Sequence, residues 1–218
     1  MGDVWAIVVA GGSGSRFGDA APKQFLDLGG LRLIDWALAA ASAACGGVVA
    51  VLPATHLDAT LAPGVVAVAG GSTRSASVRA GLEAVPADAA VIVVHDAARP
   101  LADPALFERV IAAVRAGADG AVPGVAVADT IKRVDPSGGL VLETLDRPAL
   151  RAIQTPQAFT AQALRQAHAR GGDATDDAAL VEAAGGRVVV VEGDPSNVKV
   201  TGPEDMVRAE DLLTRQSL

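Results

Sequence analysis

The chain of 218 residues contains little cysteine and few aromatic residues. A single cysteine, Cys45, excludes a disulfide framework and any metal site built from several cysteines. Aromatic residues make up only 3% of the chain although half of it is apolar, so Val, Leu and Ile must supply the core. The length suffices for one substantial core, and we expect a single domain over residues 1–218.

Long apolar runs are also scarce, and we expect no membrane partner. The longest uncharged stretch, Trp36 to Leu57, is long enough to span a bilayer. Gly46, Gly47 and Pro53 interrupt it, and its halves are typical of a helix followed by a strand. The N-terminus lacks the basic segment and cleavage site of a signal peptide, so we expect a cytoplasmic location.

Positive charge is the third scarcity. The net charge of −7 argues against a nucleic-acid partner, because a duplex binder needs clustered cations. Only three of the 18 basic residues are lysines: Lys23, Lys132 and Lys199. A compact ammonium differs from a planar guanidinium, so these lysines are either site residues that need a point charge or ordinary surface residues.

Short valine-rich runs alternate with segments typical of helices. Four continuous apolar runs predict strands buried on both faces: Val4–Ala10, Val48–Leu52, Val65–Ala69 and Val91–His95. Segments 31–45, 75–85, 104–117, 159–170 and 175–186 are typical of helices, segment 187–193 of a strand, and a last helix begins near Pro203. This order predicts an α/β fold with a doubly wound, mostly parallel, Rossmann-like sheet. Ligands of such sheets bind at the carboxyl ends of the strands.

The alternation breaks near Asp129. Two strand-like halves surround the turn sequence DPSGG within residues 129–147, which predicts an inserted β-hairpin, the hairpin arm. A lone hairpin is marginally stable in water. We therefore expect the hairpin arm to pack against a second copy of the chain.

A glycine-rich loop follows the first predicted strand, where backbone N–H groups can hold phosphate. The Walker A pattern fails because the chain contains no Gly-Lys pair, and the dinucleotide pattern lacks its third glycine. The nucleotidyltransferase pattern fits, with Gly12, Gly14 and Arg16 followed by Pro22 and Lys23. The alternative is an ordinary turn with two surface cations.

Polar residues stand at other strand ends and helix starts. Asp96 ends a predicted strand, where a carboxylate would hold Mg²⁺ against phosphates, or it caps the following helix. Arg99 is either a ligand-binding residue or an ion-pair partner. The turn Gly70–Val78 caps a helix through Ser75 or Ser77, contacts a base, or does both.

No activated nucleophile is evident in the sequence. The histidines are scattered, and we expect His95, beside Asp96, to be structural support. A phosphate monoester is already largely dianionic at neutral pH, with a second pKa of about 6. If such a group attacks, the reaction needs positioning and charge neutralisation rather than a general base.

Seven segments in chain order resemble the 2-C-methyl-D-erythritol 4-phosphate cytidylyltransferase family of the non-mevalonate isoprenoid pathway. They are AGGSGSRFG…PKQF, GGSTRSASV, HDAARP, ADTIKR, LDRPALRAIQTPQAF, TDDAALVE and NVKVTGPED. The resemblance covers nearly the whole chain and implies a fold of the nucleotidyltransferase type. It also implies a Mg²⁺-dependent attack of a polyol phosphate on the α-phosphorus of CTP, release of pyrophosphate, and a homodimer through the hairpin arm.

The resemblance further implies roles for individual residues at matching motif positions. The catalytic residues would be Arg16, Lys23, Arg147 and Lys199. CTP would be bound by Ala10, Gly11, Gly12, Gly14, Gly71, Ser77 and Asp96. The polyol phosphate would be bound by Asp96, Arg99, Thr130, Arg147, Thr155, Thr175 and Lys199. Asp96 would be the metal ligand, the partner subunit would supply Thr130 and Arg147, and Lys132 has no assigned role.

Two other functions remain open at this point. Ribitol 5-phosphate cytidylyltransferases share the glycine loop, the TPQ segment and the C-terminal motif, although HDAARP and LDRPAL are more similar to the erythritol family. A non-catalytic nucleotide-sensing module is the second alternative. Such a module would not need Arg16 and Lys23 together at the phosphate end.

Overall fold

The computed structural model describes residues 2–10 and 22–216. The strands are β1 (Val4–Val9), β2 (Asp27–Leu28), β3 (Leu31–Arg32), β4 (Gly47–Leu52), β5 (Val65–Ala69), β6 (Val91–Asp96), β7 (Gly120–Ala126), β8 (Lys132–Val134), β9 (Val141–Thr144), β10 (Arg151–Ile153), β11 (Gln157–Thr160) and β12 (Val188–Glu192). The helices are α1 (Leu33–Ala44), α2 (Arg74–Ala84), α3 (Pro104–Arg115), α4 (Ala161–Ala169), α5 (Asp177–Ala183) and α6 (Pro203–Gln216).

Eight of the strands form one sheet. Strands β6, β1, β4 and β5 are neighbours in that order and all run parallel. Strand β11 runs antiparallel between β6 and β7, and β12 continues the sheet parallel to β7. Gly124 pairs with both Ile153 of β10 and Glu192 of β12, so β10 lies on the same side of β7 as β11. The predicted doubly wound, mostly parallel sheet is confirmed.

Helices cover both faces of the sheet, because the central strands are apolar on both sides. Helices α1 and α3 bury Leu38 and Phe107 on one face. On the other face, α2, α4 and α5 bury Val78, Leu164 and Val181. Each fully buried side chain of this kind contributes roughly 1.5–3 kcal/mol to folding. None of the helices within the described residues is both long and apolar enough to cross a membrane.

Strand β5 differs from its prediction. The run Val65–Ala69 was expected to be buried on both faces, but β5 is the last strand of the sheet path and Val66 is 41% exposed. An edge strand has a neighbour on only one side, so its side chains lose part of their cover. The uninterrupted apolar run thus correctly predicted a strand but wrongly predicted that both of its faces are buried.

Strand β7 was not predicted, because Gly120, Pro123 and Gly124 are residue types typical of loops. The glycines are needed for close packing within the sheet. A Cβ atom at Gly120 would lie 2.7 Å from the ring of Phe159, and one at Gly124 would lie 2.8 Å from Val190. These contacts come from neighbouring strands, so the local sequence cannot reveal them.

The predicted hairpin arm contains a hairpin formed by β8 and β9. These strands pair with each other and with no other strand of the described residues. Gly138 and Gly139 have φ of 83° and 147° at the turn, a backbone conformation that favours glycine. Lys132 donates to the hydroxyl of Thr144 at 2.6 Å across the hairpin, which gives this lysine a local structural contact.

Candidate active site

A cavity of about 380 Å³ lies where the parallel strands end. We call it the glycine-loop cavity, because Gly71, in the loop that follows β5, is one of its lining residues. Strand β6 ends there with Asp96, as expected for a ligand site at the carboxyl edge of a parallel sheet. The lining residues are Val9, Ala10, Lys23, Gln24, Gly71, Ser72, Thr73, Arg74, Ser77, Asp96, Ala97, Ala98 and Lys199.

A second cavity of about 340 Å³ adjoins the first. We call it the threonine cavity. Its lining residues are Arg74, Asp96, Arg99, Ile153, Gln154, Thr155, Gln157, Thr175, Asp176 and Lys199. Both cavities share Arg74, Asp96 and Lys199, which we call the junction residues. Two neighbouring cavities with a charged junction can hold two ligands whose reactive groups meet.

Asp96 is the central carboxylate of the junction. Lys199 Nζ donates to Asp96 Oδ2 at 2.6 Å, and Arg74 Nε donates to Oδ1 at 3.4 Å. The Asp96 side chain is only 12% exposed. Burial alone would raise the pKa of Asp96, but Lys199 and Arg74 outweigh burial and lower the pKa to about 2. The carboxylate is therefore ionised at neutral pH.

Thr155 and His95 hold the backbone of Asp96 in place. The Asp96 N–H donates to Thr155 Oγ1, and that hydroxyl lies 3.0 Å from His95 Nδ1. Since His95 Nε2 lies 3.2 Å from the carbonyl of Arg99, Nε2 carries the proton and Nδ1 accepts from Thr155. Burial lowers the pKa of His95 to about 4, so the imidazole is neutral. The expected structural role of His95 agrees with these contacts.

Arg99 is bound to the backbone beside the threonine cavity. Its Nη1 donates to the carbonyl of Asn197 at 2.7 Å, while Nε is buried without a partner among the described residues. The amide of Asn197 donates to the carbonyl of Thr155 at 2.9 Å. Arg99 therefore lines the threonine cavity while its guanidinium is held by the Asn197 carbonyl, and not all of its N–H donors are used by the described residues.

Lys23 and Ala10 also line the glycine-loop cavity. Lys23 Nζ donates to the carbonyl of Val200 at 2.9 Å, which ties it to the segment that carries Lys199. The Ala10 N–H donates to the carbonyl of Val51 at 2.8 Å, and the side-chain amide of Gln24 donates to the Ala10 carbonyl. Because the Ala10 N–H already has a partner, Ala10 can contact a nucleotide only through its carbonyl or by van der Waals contact.

The turn before α2 places Gly71 and Ser77 in the glycine-loop cavity. Gly71 N donates to Ser77 Oγ at 3.2 Å, and Ser77 Oγ donates to the carbonyl of Thr73 at 2.9 Å. A Cβ atom at Gly71 would lie 2.5 Å from that of Ala76, so only glycine allows this close approach. The helix is capped by Thr73, which accepts from the Ala76 N–H. Of the two uses left open for this turn, a cap at Ser75 or Ser77 is therefore excluded.

Seven further predicted site residues fall into three groups. Four of them, Gly11, Gly12, Gly14 and Arg16, lie outside the described residues. Thr175 lines the threonine cavity with Thr155. Thr130 and Arg147 are exposed at the base of the hairpin arm, where Arg147 Nη1 donates to the carbonyl of Ala128 at 2.6 Å. Neither of these two lines the glycine-loop or threonine cavity of its own chain.

Sequence reasoning missed Arg74, Asp177 and His168. Arg74 belongs to the quoted GGSTRSASV segment, and Asp177 belongs to TDDAALVE, but neither received a role. Arg74 Nη1 donates to Asp177 Oδ2 at 2.7 Å, and His168 Nε2 lies 2.9 Å from Asp177 Oδ1. No local sequence pattern predicts this group, because its members lie on three different helices.

Comparison with known proteins gives consistent results. The sequence model of the family described as 2-C-methyl-D-erythritol 4-phosphate cytidylyltransferase matches residues 4–215. A protein of that name from Rhodococcus opacus is 48% identical, over 97% of this chain and 96% of its own. One from Nocardia farcinica is 45% identical, over 99% and 96%. The crystal structure of one from Thermus thermophilus is similar at 36% identity, with a TM-score of 0.79 over 95% of this chain and 98% of its own.

Proposed function

Because the chain belongs to the 2-C-methyl-D-erythritol 4-phosphate cytidylyltransferase family, we propose a division of roles within its two cavities. The enzyme transfers the cytidylyl group of CTP to 2-C-methyl-D-erythritol 4-phosphate in isoprenoid biosynthesis. The observation that carries the assignment of roles is the charged junction of Arg74, Asp96 and Lys199 between two adjoining cavities. A cytoplasmic location is also part of this proposal.

The glycine-loop cavity is the proposed CTP site. Gly71 and Ser77 form a tight polar turn in its lining, and Ala10, directly after β1, lines it as well. Close approach of backbone to a nucleotide requires such small residues. Gly11, Gly12 and Gly14 continue from Ala10 along the chain, and we assign them to the triphosphate.

The threonine cavity is the proposed polyol-phosphate site. Thr155 and Thr175 supply hydroxyl-bearing walls, and Arg99 supplies a cation. The phosphate of the second substrate would lie near Lys199 and attack the α-phosphorus of CTP. The attacking oxygen is already ionised at neutral pH, so no general base is needed.

Basic residues would stabilise the transition state of this transfer. Charge develops on the α-phosphorus and on the leaving pyrophosphate, and fixed cations there are worth more than they would be in water. Lys23 lies at the CTP cavity and Lys199 at the junction, which supports their assignment. Arg16 is assigned with them from its place in the glycine loop.

Asp96 is the proposed protein ligand for Mg²⁺. Among the described residues, no group of three or more His, Cys, Asp and Glu side chains could hold a metal. Mg²⁺ at nucleotide sites is usually held by one or two carboxylates together with substrate phosphates, so the ionised carboxylate of Asp96 fits. When bound, the ion neutralises phosphate charge, and it would share Asp96 with Lys199 and Arg74.

The hairpin arm is the proposed dimer contact. It exposes four large apolar side chains, Val134, Leu140, Val141 and Leu142, each at least 50% exposed, and such a patch favours a protein partner. A two-fold dimer would repeat the contact on both subunits. Thr130 and Arg147 lie at the base of the hairpin arm and would complete the partner's threonine cavity.

Pyrophosphate release tests the proposed function. The purified protein is incubated with CTP and Mg²⁺ plus either 2-C-methyl-D-erythritol 4-phosphate or ribitol 5-phosphate. We expect release with the first polyol phosphate, loss of release on chelation, and recovery when Mg²⁺ is restored. A higher kcat/KM with ribitol 5-phosphate would contradict the substrate assignment, and full activity in chelator would contradict the role of the metal.

A further inference from the structure

A line of ionisable side chains leads from the junction into the protein interior. Arg74 connects Asp96 at the junction with Asp177, and His168 contacts Asp177 from its far side. The Asp177 side chain is fully buried and that of His168 is 2% exposed. Neither residue reaches either cavity, so neither can touch a substrate directly.

The contacts along this line are unequal in length. The buried contact from Arg74 to Asp177 measures 2.7 Å, and the contact from His168 to Asp177 measures 2.9 Å. The contact from Arg74 to Asp96 measures 3.4 Å. The guanidinium is therefore anchored mainly from its buried side and does not depend on Asp96 for its position.

Arg74 also retains a donor that the described residues do not use. Its Nη2 atom is buried and has no hydrogen-bond partner there, although the residue lines both cavities. A planar guanidinium with two nitrogens fixed cannot rotate its third. Asp177 thus holds the guanidinium of Arg74 through the shorter contact, and Asp96 adds the longer second one.

We propose that Asp177 and His168 are positioning residues that hold Arg74 as a fixed cation where the two substrates meet. Arg74 orients the Asp96 carboxylate and places positive charge beside the reacting phosphates. His168 donates from Nε2 to Asp177 Oδ1, which leaves Oδ2 directed at Arg74. This inference rests on the proposed function, since a fixed cation matters at the junction only if both cavities hold substrates.

Asp177 must also be tested for a purely structural role. Asp177, on α5, connects α2 and α4 through its two contacts, so its loss from the wild-type chain would lower stability under either role. Removing one partner of a buried ion pair leaves the other charge uncompensated. Activity and stability must therefore be measured separately.

A double-mutant cycle with Arg74→Ala, Asp177→Asn and the combined variant separates these roles. Asp177→Asn should lower kcat about 10- to 100-fold, because a small misplacement of a catalytic group has effects of that size. In the Arg74→Ala background, Asp177→Asn should lower kcat no further, since Asp177 acts through Arg74. In that same background it should raise Tm, because it removes an unpaired buried charge.

Val181→Ala provides the matched control on the same helix. Val181 is buried in the core and reaches neither cavity, so this variant should lower Tm without changing kcat. If Asp177→Asn behaves like Val181→Ala, or lowers kcat equally with and without Arg74, the proposal is wrong. A wild-type protein that releases no pyrophosphate would instead contradict the proposed function, which keeps the two failures distinct.

His168 provides a second cycle that does not depend on the folding of Asp177→Asn. His168→Gln keeps a side-chain N–H donor, whereas His168→Leu removes it. We expect kcat to fall in His168→Leu and to recover largely in His168→Gln, and the loss to vanish in the Arg74→Ala background. Equal kcat in both His168 variants, or a loss that persists without Arg74, would overturn the positioning role.

Discussion

The junction residues and the hairpin arm supply groups to the same proposed site but are built in opposite ways. At the junction, Asp96 ends a fully buried strand, and its backbone and both carboxylate oxygens have partners. In the hairpin arm, every residue of β8 and β9 is exposed, and these strands pair only with each other among the described residues.

This difference follows from what each region must do. Electrostatic stabilisation of phosphate transfer requires charges that are fixed before the substrate arrives, and a packed sheet edge supplies such positions. Arg147 contacts the carbonyl of Ala128 at the base of the hairpin arm, but it lines neither cavity of its own chain. The three junction residues belong to one chain, whereas the role proposed for the hairpin arm requires a partner subunit.

The largest expected effect is in the glycine-loop cavity beside the junction. There Lys23→Ala should lower kcat about 10²–10³-fold, the usual loss for one electrostatic contact in a transition state. The KM for CTP should change much less. Steady-state kinetics with both substrates measures the two parameters separately. Normal kcat with only a raised KM would show that Lys23 merely binds CTP.

Lys23→Arg sharpens this result, because it keeps the charge and changes its shape. A planar fork replaces a compact ammonium poorly in a tight phosphate site, so the variant should also have a low kcat. Full activity in Lys23→Arg would mean that the site needs only positive charge.

The hairpin arm should show a comparable loss in Arg147→Ala, but one that a partner can restore. In a two-fold dimer with composite sites, mixing Lys23→Ala with Arg147→Ala gives heterodimers with one site free of both substitutions. With random pairing, about a quarter of all sites should become intact. Pyrophosphate release should rise toward that level as subunits exchange.

Mass spectrometry supplies the control for this mixing experiment, because it reports when subunit exchange is complete. Complete exchange without recovery would remove Arg147 from the shared site. Activity of Arg147→Ala alone at the wild-type level would remove it from the site altogether.

Paired leucine substitutions compare the two regions by stability. Leu164, fully buried on α4, and Leu142, 50% exposed in β9, have the same side chain. Leu164→Ala should destabilise the protein by about 2–5 kcal/mol. Leu142→Ala should change the stability of one chain by less than about 0.5 kcal/mol and should weaken dimerisation.

Urea unfolding and analytical ultracentrifugation of these variants measure the two outcomes. If, at low protein concentration, the Leu142→Ala variant unfolds at as little urea as the Leu164→Ala variant does, the hairpin arm belongs to the core. If Leu142→Ala leaves any dimer unaffected, the apolar patch of the hairpin arm is not its contact.

The last expected effect concerns pH and the support of the junction. The folded pKa of His95 is about 4, below its ordinary 6.5, so the unfolded chain binds more protons between these values. The contribution of neutral His95 is therefore complete above pH 6.5 and is lost as the pH falls to 4, with a slope of at most about 1.4 kcal/mol per pH unit. His95→Asn should reduce this slope.

Unfolding free energies of the wild type and His95→Asn, measured from pH 7 to pH 4, provide the comparison. The difference between the two slopes isolates His95 from other titrating groups. Identical slopes would show that His95 gains its proton equally well in the folded chain, and that burial does not control its titration.

Much of the fold could be predicted because its signals are local. Continuous valine runs predicted β1, β4 and β6 within a residue or two of their ends, and the turn at Gly138 and Gly139 predicted a hairpin. Strands β7, β10 and β11 escaped prediction. Gly120 and Gly124 resemble loop residues until Phe159 and Val190 pack against them.

The candidate site divides in the same way. The sequence by itself determined that a glycine loop, Asp96 and Lys199 stand at strand and helix ends, because residue type and spacing depend on the chain alone. Only the tertiary structure decided that Lys199 contacts Asp96 across 103 positions of sequence, and that Arg74 contacts Asp177 across the same separation. Such contacts depend on strand order and helix packing, which arise from the burial of the whole core and not from any local segment.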